Sequence, residues 1–130
     1  MPPLYTSGPI IVDASTLAKS KLGRKVAEVI KERNLETYIS ETLEMEYDRA
    51  ARRTGLGPLT LQKIYKMLNP RRIRDKNLLS IASGFKDAHL INLARHVKAS
   101  IIISEDKDLI KKAPHYGVKA ITGKRFLKDC

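Results

Sequence analysis

Four acids stand where a chain can use them for chemistry: Asp13, Glu46, Asp87 and Asp106. Asp13 ends the apolar run Ile10-Ile11-Val12 and is followed by the small residues Ala14 and Ser15, while Asp106 follows Ile101-Ile102-Ile103 after Ser104 and Glu105. Short, wholly β-branched runs of this kind read as buried parallel strands, and in open α/β sheets ligands bind beyond the carboxyl ends of such strands. Glu46 and Asp87 fall near the starts of helical patterns that would run back from the same edge. Carboxylates gathered at one edge repel each other and take up protons unless a cation holds them. Hard divalent ions accept oxygen ligands, and Mg²⁺ in particular binds through a few carboxylates, waters and substrate phosphate. The pattern therefore predicts a metal set among acids.

Each acid also has a plainer reading. Asp87 opens a helix, where a carboxylate favours the dipole. Asp106 and Asp108 suit a turn or N-cap, Asp13 suits the cap of the helix after its strand, and Glu46 suits surface pairing with Arg49 or Arg53. Only their joint placement favours chemistry.

The elements that must position these acids are legible from periodicity. Leu22, Val26, Val29 and Ile30 recur at helical spacing up to Arg33-Asn34, with Gly23 weakening the beginning. Thr37-Tyr38-Ile39 makes a second short strand, and Ser40 is a good N-cap for a helix over Glu41 to Thr54. On that helix Leu43, Tyr47, Ala50 and Thr54 form one stripe; Glu46 lies about 60° from Leu43 and Glu44 about 100° to the other side. Glu46 is thus the acid expected to face inward, with Glu44 its rival.

Gly55-Leu56-Gly57-Pro58 breaks the pattern, and Leu61, Ile64, Tyr65 and Leu68 rebuild it until Asn69-Pro70. A basic segment from Arg71 leads into the apolar residues Leu78, Leu79, Ile81 and Ala82. Leu90, Leu93, Ala94 and Val97 then mark the best helix, from Lys86 to Lys98, with Asp87 at the head of its buried stripe. After the strand Ile101 to Ile103 come a short helix from Asp108 to Ala113, a turn over Pro114 to Gly117, a strand from Val118 to Ile121 and a terminal helix with Phe126 and Leu127. Met1 to Pro9 reads as an extended lead-in. Short apolar strands alternating with helices argue for a parallel sheet covered on both faces. With 130 residues and no linker, repeat or low-complexity tract, residues 1–130 are expected to form a single domain.

Lys and Arg number 25 against 14 acids, a net charge of +11. The excess is concentrated between Arg49 and Lys76, where Arg49, Arg52, Arg53, Lys63, Lys66, Arg71, Arg72, Arg74 and Lys76 face only Asp75. Such a block attracts phosphate backbones, although a solvated cationic surface is an equal reading of charge alone. Without Trp, base stacking is not the evident mode. The one cysteine, Cys130, permits no intrachain disulfide, and with no leader-like start the expectation is a cytoplasmic protein. No apolar run approaches the roughly 20 residues that span a bilayer, so no membrane span is expected. His89 and His96 lie seven apart without the i, i+4 partner of a zinc helix, and both read as structural, as does His115 in its loop.

Taken in order, Ile11-Val12-Asp13-Ala14-Ser15, Ile39-Ser40 with Glu46, Asp87-Ala88-His89-Leu90-Ile91-Asn92-Leu93-Ala94, Ala99 through Leu109, and Gly117-Val118-Lys119-Ala120-Ile121-Thr122 resemble the PIN-domain nucleases. The resemblance implies a three-layer α/β/α sandwich with a central parallel sheet, and Mg²⁺- or Mn²⁺-dependent endoribonuclease activity. Carried over position by position, Asp13, Glu46, Asp87 and Asp106 match the family's acidic cluster, with Asp13, Asp87 and Asp106 as metal ligands and Glu46 and Asp108 as additional candidate ligands. Ser15 and Ser104 match supporting hydroxyls; the family often has Thr where Ser104 stands. Arg49 to Gly84 matches nothing closely and would carry substrate choice, with Arg49, Arg52, Arg53, Arg71, Arg72 and Arg74 the candidate RNA contacts. Many single-domain members are VapC-like toxins paired with an antitoxin, and many form homodimers, so both partners are implied. The competing readings are a ribosomal- or transfer-RNA-processing nuclease and a non-catalytic nucleic-acid-binding module.

Overall fold

The computed structural model describes residues 8–54 and 57–130; the side chains of Ser20 and of residues 54–61 are outside that description. Five short strands are described: β1 (Ile10–Val12), β2 (Tyr38–Ser40), β3 (Arg71–Ile73), β4 (Ile101–Ile103) and β5 (Ala120–Ile121). The helices are α1 (Ala14–Leu17), α2 (Ser20–Glu32), α3 (Glu41–Thr54), α4 (Gly57–Leu68), α5 (Ala88–Val97), α6 (Lys107–Lys112) and α7 (Gly123–Asp129).

All strand pairs are parallel. β1, β4 and β5 form one ladder, with Val12 opposite Ile103 and Ile103 opposite Ile121. β2 and β3 form another, and an isolated parallel bridge between Ile10 and Thr37 joins the two. The strands therefore run in the order β3-β2-β1-β4-β5. The chain winds outward from β1 to β3 and then returns across the sheet to β4. With right-handed crossovers this places α2 and α4 on one face and α5 on the other. Accordingly α2 packs on α4, whereas α5 lies against β1, β2 and β4. The result is the α/β/α layering expected from the alternating pattern.

Burial explains why the strands are continuous apolar runs. Ile10, Ile11, Ile101, Ile102 and Ile103 are fully enclosed between the helical layers, together with Leu90, Ile91 and Leu93 of α5 and Phe126 of α7. Ser40 caps α3 as its position predicts, accepting from Leu43 N at 3.1 Å. No helix among the described residues is long and apolar enough to cross a membrane.

Several expected boundaries move. α5 begins at Ala88 and not at Lys86, and β5 is confined to Ala120–Ile121. The start of the basic segment, Arg71-Arg72-Ile73, is a strand that hydropathy does not reveal, because an edge strand with exposed arginines shows no apolar run. Of the patch that follows, Ala82 is buried but Leu79 is 70% exposed. The lead-in at residues 1–7 and Gly55-Leu56 of the expected break lie outside the described residues.

Gly23 proves to be a packing requirement. A Cβ there would meet Leu17 Cα at 2.9 Å and the Leu17 and Thr16 carbonyl oxygens at 3.2 Å, all backbone atoms of α1. On helix propensity alone Gly23→Ala would stabilise the protein by about 1 kcal/mol. The clash reverses the sign: a destabilisation of about 1–3 kcal/mol is expected in urea unfolding.

Candidate metal centre

The order β3-β2-β1-β4-β5 has its reversal point between β1 and β4, the position at which a doubly wound sheet opens a crevice at its carboxyl edge. Asp13 leaves β1 at that point and Ser104 leaves β4 beside it. A cleft of about 140 Å³ opens there, lined by Asp13, Ala14, Ser15, Glu46, Arg49, Arg53, Lys86, Asp87 and Asp106. The four acids predicted from sequence thus converge. Asp13 and Asp87 are buried, whereas Arg49, Arg53 and Lys86 are exposed, so carboxylates form the floor and cations the rim.

Asp13 is held by two hydroxyls. Ser15 Oγ donates to its Oδ2 at 2.8 Å and Ser104 Oγ donates to the same oxygen at 2.7 Å. Each serine in turn accepts from a backbone N–H of the β4 exit, Ser15 from Glu105 and Ser104 from Asp106, both at 3.0 Å. Because each hydroxyl has one proton, both protons go to Asp13, and the 3.3 Å between the two serine oxygens is a contact enforced by the shared acceptor. Asp13 occupies the N-cap position of α1 but makes no side-chain cap bond, so its plainer reading does not hold.

Asp87 stands at the N-cap of α5, also without a side-chain cap bond. Its loop is clamped from behind: Asn92 accepts from Ile81 N and Ala82 N at 2.9 and 2.8 Å and donates to Ala82 O at 3.0 Å. Asp106 does act as a cap, accepting through Oδ1 from Asp108 N at 2.9 Å and Leu109 N at 3.3 Å. Glu46 is brought in by its neighbour, since the buried Tyr47 hydroxyl donates to Val12 O, tying α3 to the last residue of β1. Burial first, then the Asp13 charge, raises the Tyr47 phenol well above its ordinary value and keeps it a donor.

Crowding leaves its mark on titration. Burial first, then a hydrogen bond with Asp106 and the charges of Asp13 and Asp106, raises Asp87 to about 7. Asp106 is correspondingly lowered, chiefly by that same bond and by the backbone N–H groups of Leu109 and Asp108. Without a cation the pair holds a proton in common, which is how confined carboxylates relieve their repulsion. The donor set fits a divalent ion: several carboxylates on one floor, two of them buried, with hydroxyls fixing the orientation of one.

Not every predicted residue reaches the cleft. Asp108 is exposed in the first turn of α6. Glu44 points elsewhere, accepting from Tyr65 at 3.1 Å and pairing with Arg72 at 2.5 Å, so it does not replace Glu46. Of the candidate RNA contacts, Arg49 and Arg53 line the cleft, while Arg71 pairs with Glu36 at 3.3 Å and Arg74 lies in a separate groove with Glu41 and Arg72. Arg52 is exposed on α3. Asp75, the one acid in the basic block, accepts from Thr42 Oγ1 at 2.6 Å.

His89, structural by its spacing in the sequence, also reaches this site. Its Nε2 lies 2.8 Å from Glu46 Oε1, and with Asp87 the three residues offer donor atoms within 4.8 Å of one another. The i, i+4 test looks for a partner on the same helix, whereas this partner comes from α3. The available signal was His89 standing two residues after an acid, on the same first turn of α5.

No family model matches this chain, and no curated protein sequence matches it. Among solved structures it is similar to a PilT N-terminus (PIN) domain protein from the hyperthermophilic archaeon Sulfolobus solfataricus P2. The TM-score is 0.62 over 92% of this chain and 91% of that one, at 20% sequence identity. The chain therefore has the PIN-domain fold, as the resemblance in its motifs implied. The class so defined is an α/β sandwich with an acidic cleft at the carboxyl edge of its sheet.

Proposed function

We propose that this protein is a divalent-metal-dependent endoribonuclease, with Mg²⁺ or Mn²⁺ as cofactor. The observation that carries the reading is the convergence of Asp13, Glu46, Asp87 and Asp106 on one cleft under a cationic rim. PIN folds generally belong to metal-dependent nucleases, which supports the same reading. A bound divalent ion would supply Lewis-acid stabilisation of the attacked phosphate and lower the pKa of a bound water.

The chain's own residues have separable tasks. Asp13, Asp87 and Asp106 would hold the ion, and Ser15 and Ser104 fix the Asp13 carboxylate so that little reorganisation would be needed on loading. Glu46, beside Asp87, would orient the attacking water or take part in holding metal. Arg49, Arg53 and Lys86 hold the phosphates on either side of the scissile bond, which brings a polyanion to a floor that would otherwise repel it. Flexible single-stranded or looped RNA is the substrate class favoured, because its backbone can bend into a recessed floor. We assign the biological role to a VapC-like toxin with an antitoxin partner and a homodimeric state, on the strength of the motif resemblance. Growth arrest on expression, relieved by a neighbouring gene, tests that role against RNA processing.

The direct test is cleavage of a mixed single-stranded RNA pool as Mn²⁺ is titrated. Cleavage that requires the ion is expected; RNA binding indifferent to metal, with no cleavage, would leave only a binding module. In the same assay, Arg49→Gln with Arg53→Gln is expected to weaken binding across all sequences. The slope of log affinity against log salt should become shallower by about 1.4, because each phosphate that an arginine neutralises on a single strand accounts for roughly 0.7 of it.

A further inference from the structure

Three buried side-chain atoms among the described residues have no hydrogen-bond partner, and all belong to one pair: Glu46 Oε1 and both ring nitrogens of His89. Buried polar atoms are nearly always satisfied, so orphans gathered in one place point to a ligand. The pair's geometry says which kind. His89 Nε2 and Glu46 Oε1 approach to 2.8 Å, a full hydrogen-bond distance, yet no aligned N–H···O bond joins them. A ring nitrogen and a carboxylate oxygen this close, with no aligned hydrogen bond between them, are spaced to share a third partner. Cis ligands about 2.1 Å from one octahedral ion stand about 3.0 Å apart, close to this separation. Asp87, buried at the start of the same helix turn, adds a carboxylate oxygen within 4.8 Å of both.

We propose that His89 is a nitrogen ligand, acting with Glu46 and Asp87, to a second cation position in the cleft. Through it the centre prefers a first-row transition ion to Mg²⁺. Imidazole nitrogen adds affinity for such ions and little for Mg²⁺, which prefers oxygen throughout. Asp87 would then serve both groups of donors, Asp13 and Asp106 on one side and Glu46 and His89 on the other. The inference rests on the metal reading of this cleft and adds to it the donor type and the ion preference.

The test uses the whole protein, stripped with chelator and loaded with Mn²⁺, and reads electron spin-echo modulation from ¹⁴N. Nitrogen coupling is expected in the unsubstituted protein. It should disappear in His89→Gln and persist when His96 and His115, both exposed, are replaced by Gln. His89→Gln should also reduce the preference for Mn²⁺ over Mg²⁺ by about tenfold in competitive titration. If His89→Gln does not fold, the unsubstituted protein and the His96 and His115 variants still decide the matter. Mn²⁺ that binds and is weakened by Asp13→Asn, but shows no nitrogen coupling, overturns the histidine assignment alone. Failure of the unsubstituted protein to bind Mn²⁺ overturns the metal reading with it.

Discussion

Asp13→Asn is expected to abolish metal-dependent cleavage while the protein stays folded. Asn retains a carbonyl oxygen that can accept from both Ser15 and Ser104, so the hydroxyl cradle at the β1 and β4 exits persists. What disappears is the charge that holds the ion. Residues that merely orient a metal ligand cost about 10–100-fold in affinity or activity when replaced, so replacing the ligand itself should cost at least about 100-fold. The metal-free variant should be no less stable than the parent, because a buried charge beside Asp87 and Asp106 has been removed and their repulsion eased. Two readouts separate the outcomes: the cleavage rate at saturating Mn²⁺, and the rise in thermal midpoint on adding Mn²⁺. Undiminished cleavage in a variant that still gains stability from Mn²⁺ would remove Asp13 from the machinery.

The second large effect is on pH. An ion must displace the proton that Asp87 and Asp106 hold in common, which leaves near pH 7. Mn²⁺ affinity should therefore be nearly flat above that value and fall about tenfold for each unit below it, with one proton released per ion. Calorimetric titration in buffers of different ionisation enthalpy counts that proton directly. For the metal-free protein the sign is opposite. Asp87 is raised from 3.8 to about 7 by folding, so its native form binds the proton more tightly than its unfolded form. Its contribution to stability is fully present below pH 3.8 and is lost as pH rises through about 7. Asp106, lowered on folding, acts in the other direction, its contribution being lost as pH falls through its own range. Urea unfolding at pH 6 and pH 8, with and without Mn²⁺, should show the metal-free protein weakening over the interval while the saturated protein stays level at this group, so that the gain from Mn²⁺ is larger at pH 8.

How much of this was readable in advance depends on whether the signal is local. β1, β4 and α3 fall where their hydropathy places them, because enclosed strands need continuous apolar runs and a half-buried helix needs a stripe. The choice of Glu46 over Glu44 followed from an angle on a helical wheel, and Glu44 indeed turns toward Tyr65 and Arg72. β3 escaped notice because an edge strand is specified by its partner β2 and not by its own side chains. Gly23 looked like a weak helix start and is a point of close approach to Leu17. His89 carries no ligand signal in the sequence because its neighbour Glu46 lies on a different helix.

From sequence alone came the kinds of group available, the elements that bear them and the end of each element at which they sit. Neighbouring residues decide those properties through backbone preference and the period of apolar positions. Which carboxylates share an oxygen cradle, a proton or an imidazole was decided only by the order of strands across the sheet. That order brings Asp13 to Ser104 and Glu46 to His89, groups far apart along the chain, and it is set by how the helical layers close over the isoleucine core.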